Sequence, residues 1–278
     1  MPGQIPVEDL YRAGDWRKTI SVVCGPGASG RCPNYRSEAV FSLLEVAIGL
    51  VVIGLLLGAI LTSRELVGGA RVRTLADSAS DISTGYYGFV DRYGRVPGDW
   101  NAAAASAAIG VGVAGGGNDN GNLDNPPGPN AYDETNAMWE QLGAGGFIQG
   151  TYAGTAGLEP DAENGLAPLN VFNSVIAVGR TSDFEGASSP RLHVVFGRRV
   201  PVATMRELDL KLDDTAPETG DLRATKESPA VFAGAHQWGG RERNCVLLTV
   251  DMKKSKKSEG NRWDVPKHAE DCNAVLLF

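Results

Sequence analysis

"FSLLEVAIGLVVIGLLLGAIL", residues 41–61, is an apolar run that carries one charge, the carboxylate of Glu45. As a helix, about 21 residues at ~1.5 Å each reach roughly 31 Å, the thickness of a bilayer's hydrocarbon core. The run therefore predicts a single membrane span. An acid inside it is costly unless something answers its charge, so Glu45 needs a reason.

Downstream of the run, apolar residues recur at steps of three and four: Val72, Leu75, Ala79, Ile82, Tyr86, Phe89 and Tyr93. That spacing puts them on one face of a helix. Arg73, Asp77, Ser78, Asp81 and Ser83 fall between them. A half-buried helix continuous with the span is expected, ending before Pro97, which cannot extend it. The whole helix would run about 50 residues, or ~75 Å. Its weakest point is Gly68-Gly69, where a bend or local melting is expected because each glycine costs about 1 kcal/mol relative to alanine. Gly54 and Gly58 make a G-x-x-x-G spacing that lets a second helix approach closely.

The chain thus divides into a leader (1–40), the span (41–61), an amphipathic helix (62–96) and a C-terminal body (97–278). The body opens with "RVPGDW" and a stretch from Asn101 to Asp133 crowded with Ala, Gly, Asn and Pro, too poor in apolar residues for core. A short helix follows from about Glu134 to Leu142, turning Ala137, Met138 and Leu142 inward. Val171–Val178 and Leu192–Phe196 read as strands. "PVATMRELDLKLDD" reads as a helix opened by proline, with Met205, Leu208 and Leu212 on one side. Two further strands, Cys245–Val250 and Ala274–Phe278, close the chain. The expected class is α+β, a long helix packed on a small antiparallel sheet.

Composition narrows the function. A hydrophobic fraction of 42% supports a core, and a net charge of −7 with a pI near 5.1 leaves no basic stripe for nucleic acid. The one basic cluster, Lys253, Lys254, Lys256 and Lys257, is flanked by Asp251 and Glu259 and reads as a solvated loop. A cleaved secretory signal fits poorly: the apolar run is long, and helix continues where an extended small-residue cleavage site is needed. Arg31 and Arg36 precede the span and Arg64, Arg71 and Arg73 follow it, so charge alone leaves its orientation open.

The four cysteines fall in two pairs without zinc-site spacing. If the C-terminal part is exported, Cys245 and Cys272 pair and close a loop containing the lysine cluster. Cys24 and Cys32, in the leader, would stay thiols in a reducing cytoplasm.

Phe41, Ser42, Leu43, Leu44 and Glu45, followed by the apolar helix Val46–Leu61, resemble the N-terminal pattern of type IV pilins and type II secretion pseudopilins. "YGRVPGDW" (93–100), "NDNGNLD" (118–124), "MWEQLGAGGFIQG" (138–150) and "KLDDTAPETGDLRA" (211–224) are similar, in the same order, to a subgroup of prepilin-type proteins. The resemblance covers most of 41–278 and implies a structural protein. It would sit singly spanning the bacterial inner membrane, leader in the cytoplasm and body in the periplasm. A prepilin peptidase would remove the leader between Val40 and Phe41, and the subunit would join other pilin or pseudopilin subunits through an inner-membrane assembly platform. The resemblance also gives Glu45 its partner, the α-ammonium of a neighbouring subunit's Phe41: two charges costly alone become tolerable as a pair in low dielectric. One position departs from the pattern, since the family's peptidase expects glycine where this chain has Val40.

Other chemistries find little footing. His193, His236 and His268 lie in no catalytic motif, and no G-x-S-x-G, H-E-x-x-H or phosphate loop occurs. An enzyme is not expected. Asp213-Asp214 reads as a turn or helix end. Asp119, Asn120, Asn122 and Asp124 put oxygen ligands at alternate positions around a glycine, part of a calcium-loop pattern whose full D-x-[DN]-x-[DN]-G-x5-E form is absent. Calcium is the one cofactor these residues suggest, against a solvated Asn/Gly loop. The functional alternative to a filament subunit is a single-span anchor whose periplasmic body binds a partner without polymerising.

Overall fold

The computed structural model describes residues 42–126, 130–181, 191–224, 245–246, 249–251, 256–258 and 262–278. The leader, including Val40, and the first residue of the apolar run, Phe41, lie outside the described residues, as do His236, Lys253 and Lys254. Contacts divide the chain into two units, Met1–Gly58 and Ala59–Phe278.

Helix α1 runs unbroken from Leu43 to Tyr93, 51 residues. The local melting expected at Gly68-Gly69 does not occur: the helix carries through both glycines, and a Cβ added at either would meet nothing within 4 Å. The predicted face is buried where it should be: Val72, Leu75, Ala79, Ile82, Tyr86 and Phe89 are all at most 5% exposed. Tyr93, the last of the series, is half-buried against Phe89, with ring centroids 4.7 Å apart. The helix stops there because Gly94 takes φ +64° and Pro97 follows.

The face serves two clusters. Val72, Leu75 and Ala79 pack with Phe196, Val200, Met205, Leu208 and Leu222. Ile82, Tyr86 and Phe89 pack with Met138, Trp139, Leu142, Val178, Leu192 and Val194. On this helix the closest approach that glycine permits is at Gly85, where a Cβ would lie 2.9 Å from Ile148 Cγ2 and 3.0 Å from the Phe147 carbonyl oxygen.

The 101–133 stretch corrects the sequence reading. Ala102–Ile109 forms helix α2, its Asn101 side chain capping the Ala103 N–H at 3.0 Å. Ala105, Val113, Leu123, Ala131 and Tyr132 are buried, so the stretch contributes to the core it was expected to skirt. Helix α3, Asp133–Ala144, buries Ala137, Met138 and Leu142 as predicted, and Trp139 as well.

The sheet comprises β1 (Ala177–Thr181), β2 (Arg191–Val195), β3 (Leu222–Ala224) and, at the C-terminus, β6 (Ala274–Leu277), in the order β1-β2-β6-β3 and antiparallel throughout. Residues 171–176 are not strand as expected. They turn around Asn170, whose side-chain oxygen accepts from the N–H groups of Phe172 (2.8 Å) and Ser174 (3.1 Å). Helix α4, Val202–Leu212, buries Met205 and Leu208 but leaves Leu212 39% exposed, against expectation. Both sheet edges are answered by non-strand groups. Thr135 Oγ1 donates to the Val178 carbonyl (2.9 Å) and the Arg180 N–H to Asn125 Oδ1 (3.3 Å); Leu222 N–H donates to Asp213 Oδ2 (2.8 Å) and Ala224 N–H to the Pro217 carbonyl (2.8 Å). Those positions are closed to further strand addition.

In the C-terminal excursion, β4 (Thr249–Asp251) pairs with β5 (Lys256–Ser258) as a hairpin, so Lys256 and Lys257 belong to a strand. Of the expected strand Cys245–Val250, Val246 makes an isolated bridge with Trp263 and Thr249 and Val250 belong to β4, while residues 247–248 lie outside the described residues. Cys245 and Cys272 form the expected disulfide, with Cα atoms 5.7 Å apart.

Candidate functional site

Ser42 opens helix α1 as its cap. Its hydroxyl oxygen accepts from the Leu44 N–H at 3.3 Å, and its carbonyl accepts from Val46 N–H at 3.1 Å. Glu45 then falls in the first turn, three residues after the capping serine. Ser-x-x-Glu is the spacing of a capping box, and an acid there also meets the positive end of the helix dipole. This local reason for Glu45 was readable in the sequence from the S-x-x-E spacing alone. It is worth roughly 0.3–1 kcal/mol and leaves the carboxylate exposed for a further partner.

Around and beyond Glu45 the helix shows apolar side chains to its surroundings on every side. Leu43 is 91% exposed, Leu50 65%, Leu55 70% and Leu61 66%. A Cβ added to Gly49, Gly54 or Gly58 would meet nothing within 4 Å. The structure thus brings Glu45, Gly54 and Gly58 onto one accessible helix. This segment is long and apolar enough to cross a membrane.

The second polar constellation lies around the Asn/Gly loop. Asp99, 3% exposed, accepts from the N–H groups of Asn120 (3.1 Å) and Gly121 (2.8 Å). Glu134, in the first turn of α3 and 7% exposed, accepts from the Asp124 N–H (2.5 Å) and from Asn118 Nδ2 (3.3 Å). Farther along the helix, Glu140 holds the N–H groups of Ala114 (2.9 Å) and Gly115 (2.7 Å), and Gln141 ties Gly98 N–H (2.9 Å) to the carbonyls of Trp100 and Gly115. Helix α3 is therefore the clamp of the loop. Burial pushes the Glu134 carboxyl up to about 7, with the charges of Asp124 and Asp99 adding to the shift.

The polar side chains of the four residues expected to resemble a calcium loop are engaged with N–H donors and a guanidinium. Asp124 Oδ2 accepts from the side-chain amides of Asn118 (3.2 Å) and Asn120 (2.5 Å), and Asn120 Oδ1 accepts from the Asn122 N–H (2.8 Å). Asp119 instead stands 3.9 Å from the Arg95 guanidinium. N–H donors occupy the places where a cation would need oxygens, so the set fits calcium poorly.

Among the described residues, Asp209, Asp213 and Asp214 bring carboxylate oxygens within 4.8 Å of one another. Each is engaged by the fold. Asp209, fully buried, accepts from Trp263 Nε1 (2.6 Å) and Thr215 N–H (3.1 Å); Asp213 accepts from Leu222 N–H (2.8 Å); Asp214 accepts from Ala216 N–H (2.9 Å) and the Thr219 hydroxyl (2.6 Å). "DDTAPETGD" is thus a turn nucleated by its acids, as its sequence suggests. His193 is buried in β2 with Nδ1 2.6 Å from the Arg191 carbonyl, while His268 is exposed at the end of a single 3-10 turn. Comparison of the chain with protein-family models, with curated proteins and with solved structures finds no match.

Proposed function

We propose that this chain is a prepilin-like structural subunit, a minor component of a type IV pilus or type II secretion pseudopilus, and that it assembles through its N-terminal helix once the leader is removed. The observation that carries this reading is a single unbroken helix with two characters: an all-round apolar, exposed first part with an acid in its first turn, and a second part with one face buried in an α+β body. The exposed part suits first the inner membrane and then a bundle of like helices. The body would face the periplasm, where an oxidising environment suits the disulfide. In this role the chain is not an enzyme; its partners are other subunits, the prepilin peptidase, the assembly platform and the bilayer.

Glu45 is the residue on which assembly turns, through the α-ammonium that leader removal creates at Phe41 of a neighbour. A Glu45→Ala variant is expected to insert into the membrane normally and to fail to enter filaments, measured by cross-linking and filament fractionation. Normal incorporation would remove the pairing. A second reading, a single-span anchor that is neither processed nor polymerised, is favoured by Val40 in place of the family's glycine.

A further inference from the structure

Beside the first buried turn of α1 lie two arginines that no acid neutralises at ion-pair distance among the described residues. Arg71, one residue before the first buried position of α1, lies over the Phe172 ring, its guanidinium carbon 5.2 Å from the centroid. The next residue, Asn173, is held at φ +57°, and its carbonyl accepts from Arg199 Nη1 at 3.5 Å. One turn, 172–173, therefore joins both guanidinium groups. Their neighbours are already paired: Arg198 with Asp271, and Arg73 with Asp77 at 3.7 Å. The acids that share a cleft with Arg199 are Asp161, Glu163 and Asp271; Asp161 Oδ1 is taken up by the N–H groups of Glu163 (2.7 Å) and Asn164 (2.8 Å), and Asp271 by the Arg198 guanidinium and the backbone N–H of Arg199 (3.1 Å).

Position along the helix decides what this pair can meet. Arg71 follows Leu61 by about ten residues, or ~15 Å of rise. The apolar surface does not stop at Leu61: Leu66 and Val67 are 70% and 50% exposed, bringing it to within about one turn of Arg71. Helix side chains also lean toward the N-terminus, here toward the span. The polar headgroup layer is about 5–8 Å deep on each side of the hydrocarbon; Leu66 and Val67, about 8–9 Å past Leu61, therefore lie at its outer edge, and Arg71, ~6 Å farther, is near enough for its long side chain to reach back to the phosphates.

We propose that Arg71 and Arg199, flanking the Phe172–Asn173 turn, bind the phosphate of an anionic phospholipid headgroup where the span leaves the bilayer. Arginine is suited to this, presenting two N–H groups to a phosphate, and Phe172 orients one of the pair. The proposal rests on the membrane-spanning reading of residues 41–61.

The test uses the full chain in nanodiscs of phosphatidylcholine with or without phosphatidylglycerol, with retained lipids counted by native mass spectrometry. Several-fold enrichment of phosphatidylglycerol is expected, weakening as salt rises. The double variant Arg71→Gln/Arg199→Gln should lose the enrichment at an unchanged melting temperature, and Arg71→Lys/Arg199→Lys should keep most of it. If the double glutamine variant is unstable, Arg71→Gln alone, which leaves the hydrogen bonds of Arg199 in place, should reduce the enrichment. A chain that inserts but shows no preference, or whose glutamine variants keep it, overturns the proposal alone. A chain that enters neither nanodisc overturns the membrane reading with it.

Discussion

The two parts of helix α1 share a backbone and differ in everything that surrounds it. From Leu43 to Leu61 leucine, valine and isoleucine point outward in every direction, while from Val72 to Phe89 the apolar residues keep to one face and are covered. The first pattern is covered by nothing among the described residues and is the surface proposed to meet lipid or other helices. The second is what fastens the body to the helix. Identical truncations in the two parts should therefore behave oppositely.

Phe89→Ala is the largest expected effect. Phe89 is fully buried among Tyr93, Trp100 and Phe147, and the change should cost about 3–5 kcal/mol in a denaturation experiment. Leu55→Ala, at a 70% exposed site, should leave the body's unfolding midpoint within about 0.5 kcal/mol of wild type. A body equally destabilised by both changes would mean that the first part also packs on its own chain.

The next effect is one of pH. The Glu134 carboxyl is raised from 4.5 to about 7 by its burial, so folding favours its protonated form. That contribution is complete below pH 4.5, is lost as pH rises to about 7, and changes no further above it; the loss amounts to at most ~3 kcal/mol. Glu134→Gln should flatten this slope in thermal melts taken between pH 4.5 and 8. An unchanged slope would assign it elsewhere.

Gly85→Val should cost about 1–3 kcal/mol, because the new side chain collides with Ile148 and the Phe147 carbonyl. The matching change Gly54→Ala, at a site with nothing within 4 Å, should leave the body's stability unaltered and strengthen the helix by up to about 1 kcal/mol. Any loss of filament incorporation in Gly54→Ala would then report helix-to-helix contact directly.

The buried face of α1 was legible because a period of 3.6 residues needs no knowledge of the partner surface. The same holds for α4 apart from Leu212, whereas β6 was legible as a short continuous apolar run, buried at all four positions. Helix α2 was hidden by its composition: in "NAAAASAAIG" the alanines looked like low complexity, although alanine is the strongest helix former and Asn101 and Gly110 are the caps. Strand β3 is three residues long, too short to carry a period. Asp99 and Glu134 could not be found from the sequence, since what makes a buried acid tolerable is a set of N–H donors about twenty and ten residues away. At the N-terminus Glu45 stood out at once, and its spacing from Ser42 was equally readable, although the apolar run around it drew attention to the cost of a buried charge instead.

The N-terminus of the mature chain tests the filament role most directly, because no subunit can offer an α-ammonium to a neighbour's Glu45 while its leader remains. Intact-mass spectrometry of protein extracted from membranes should give a chain that begins at Phe41, with or without a methyl group. A chain that still carries residues 1–40 would contradict the filament role and leave a membrane anchor in its place.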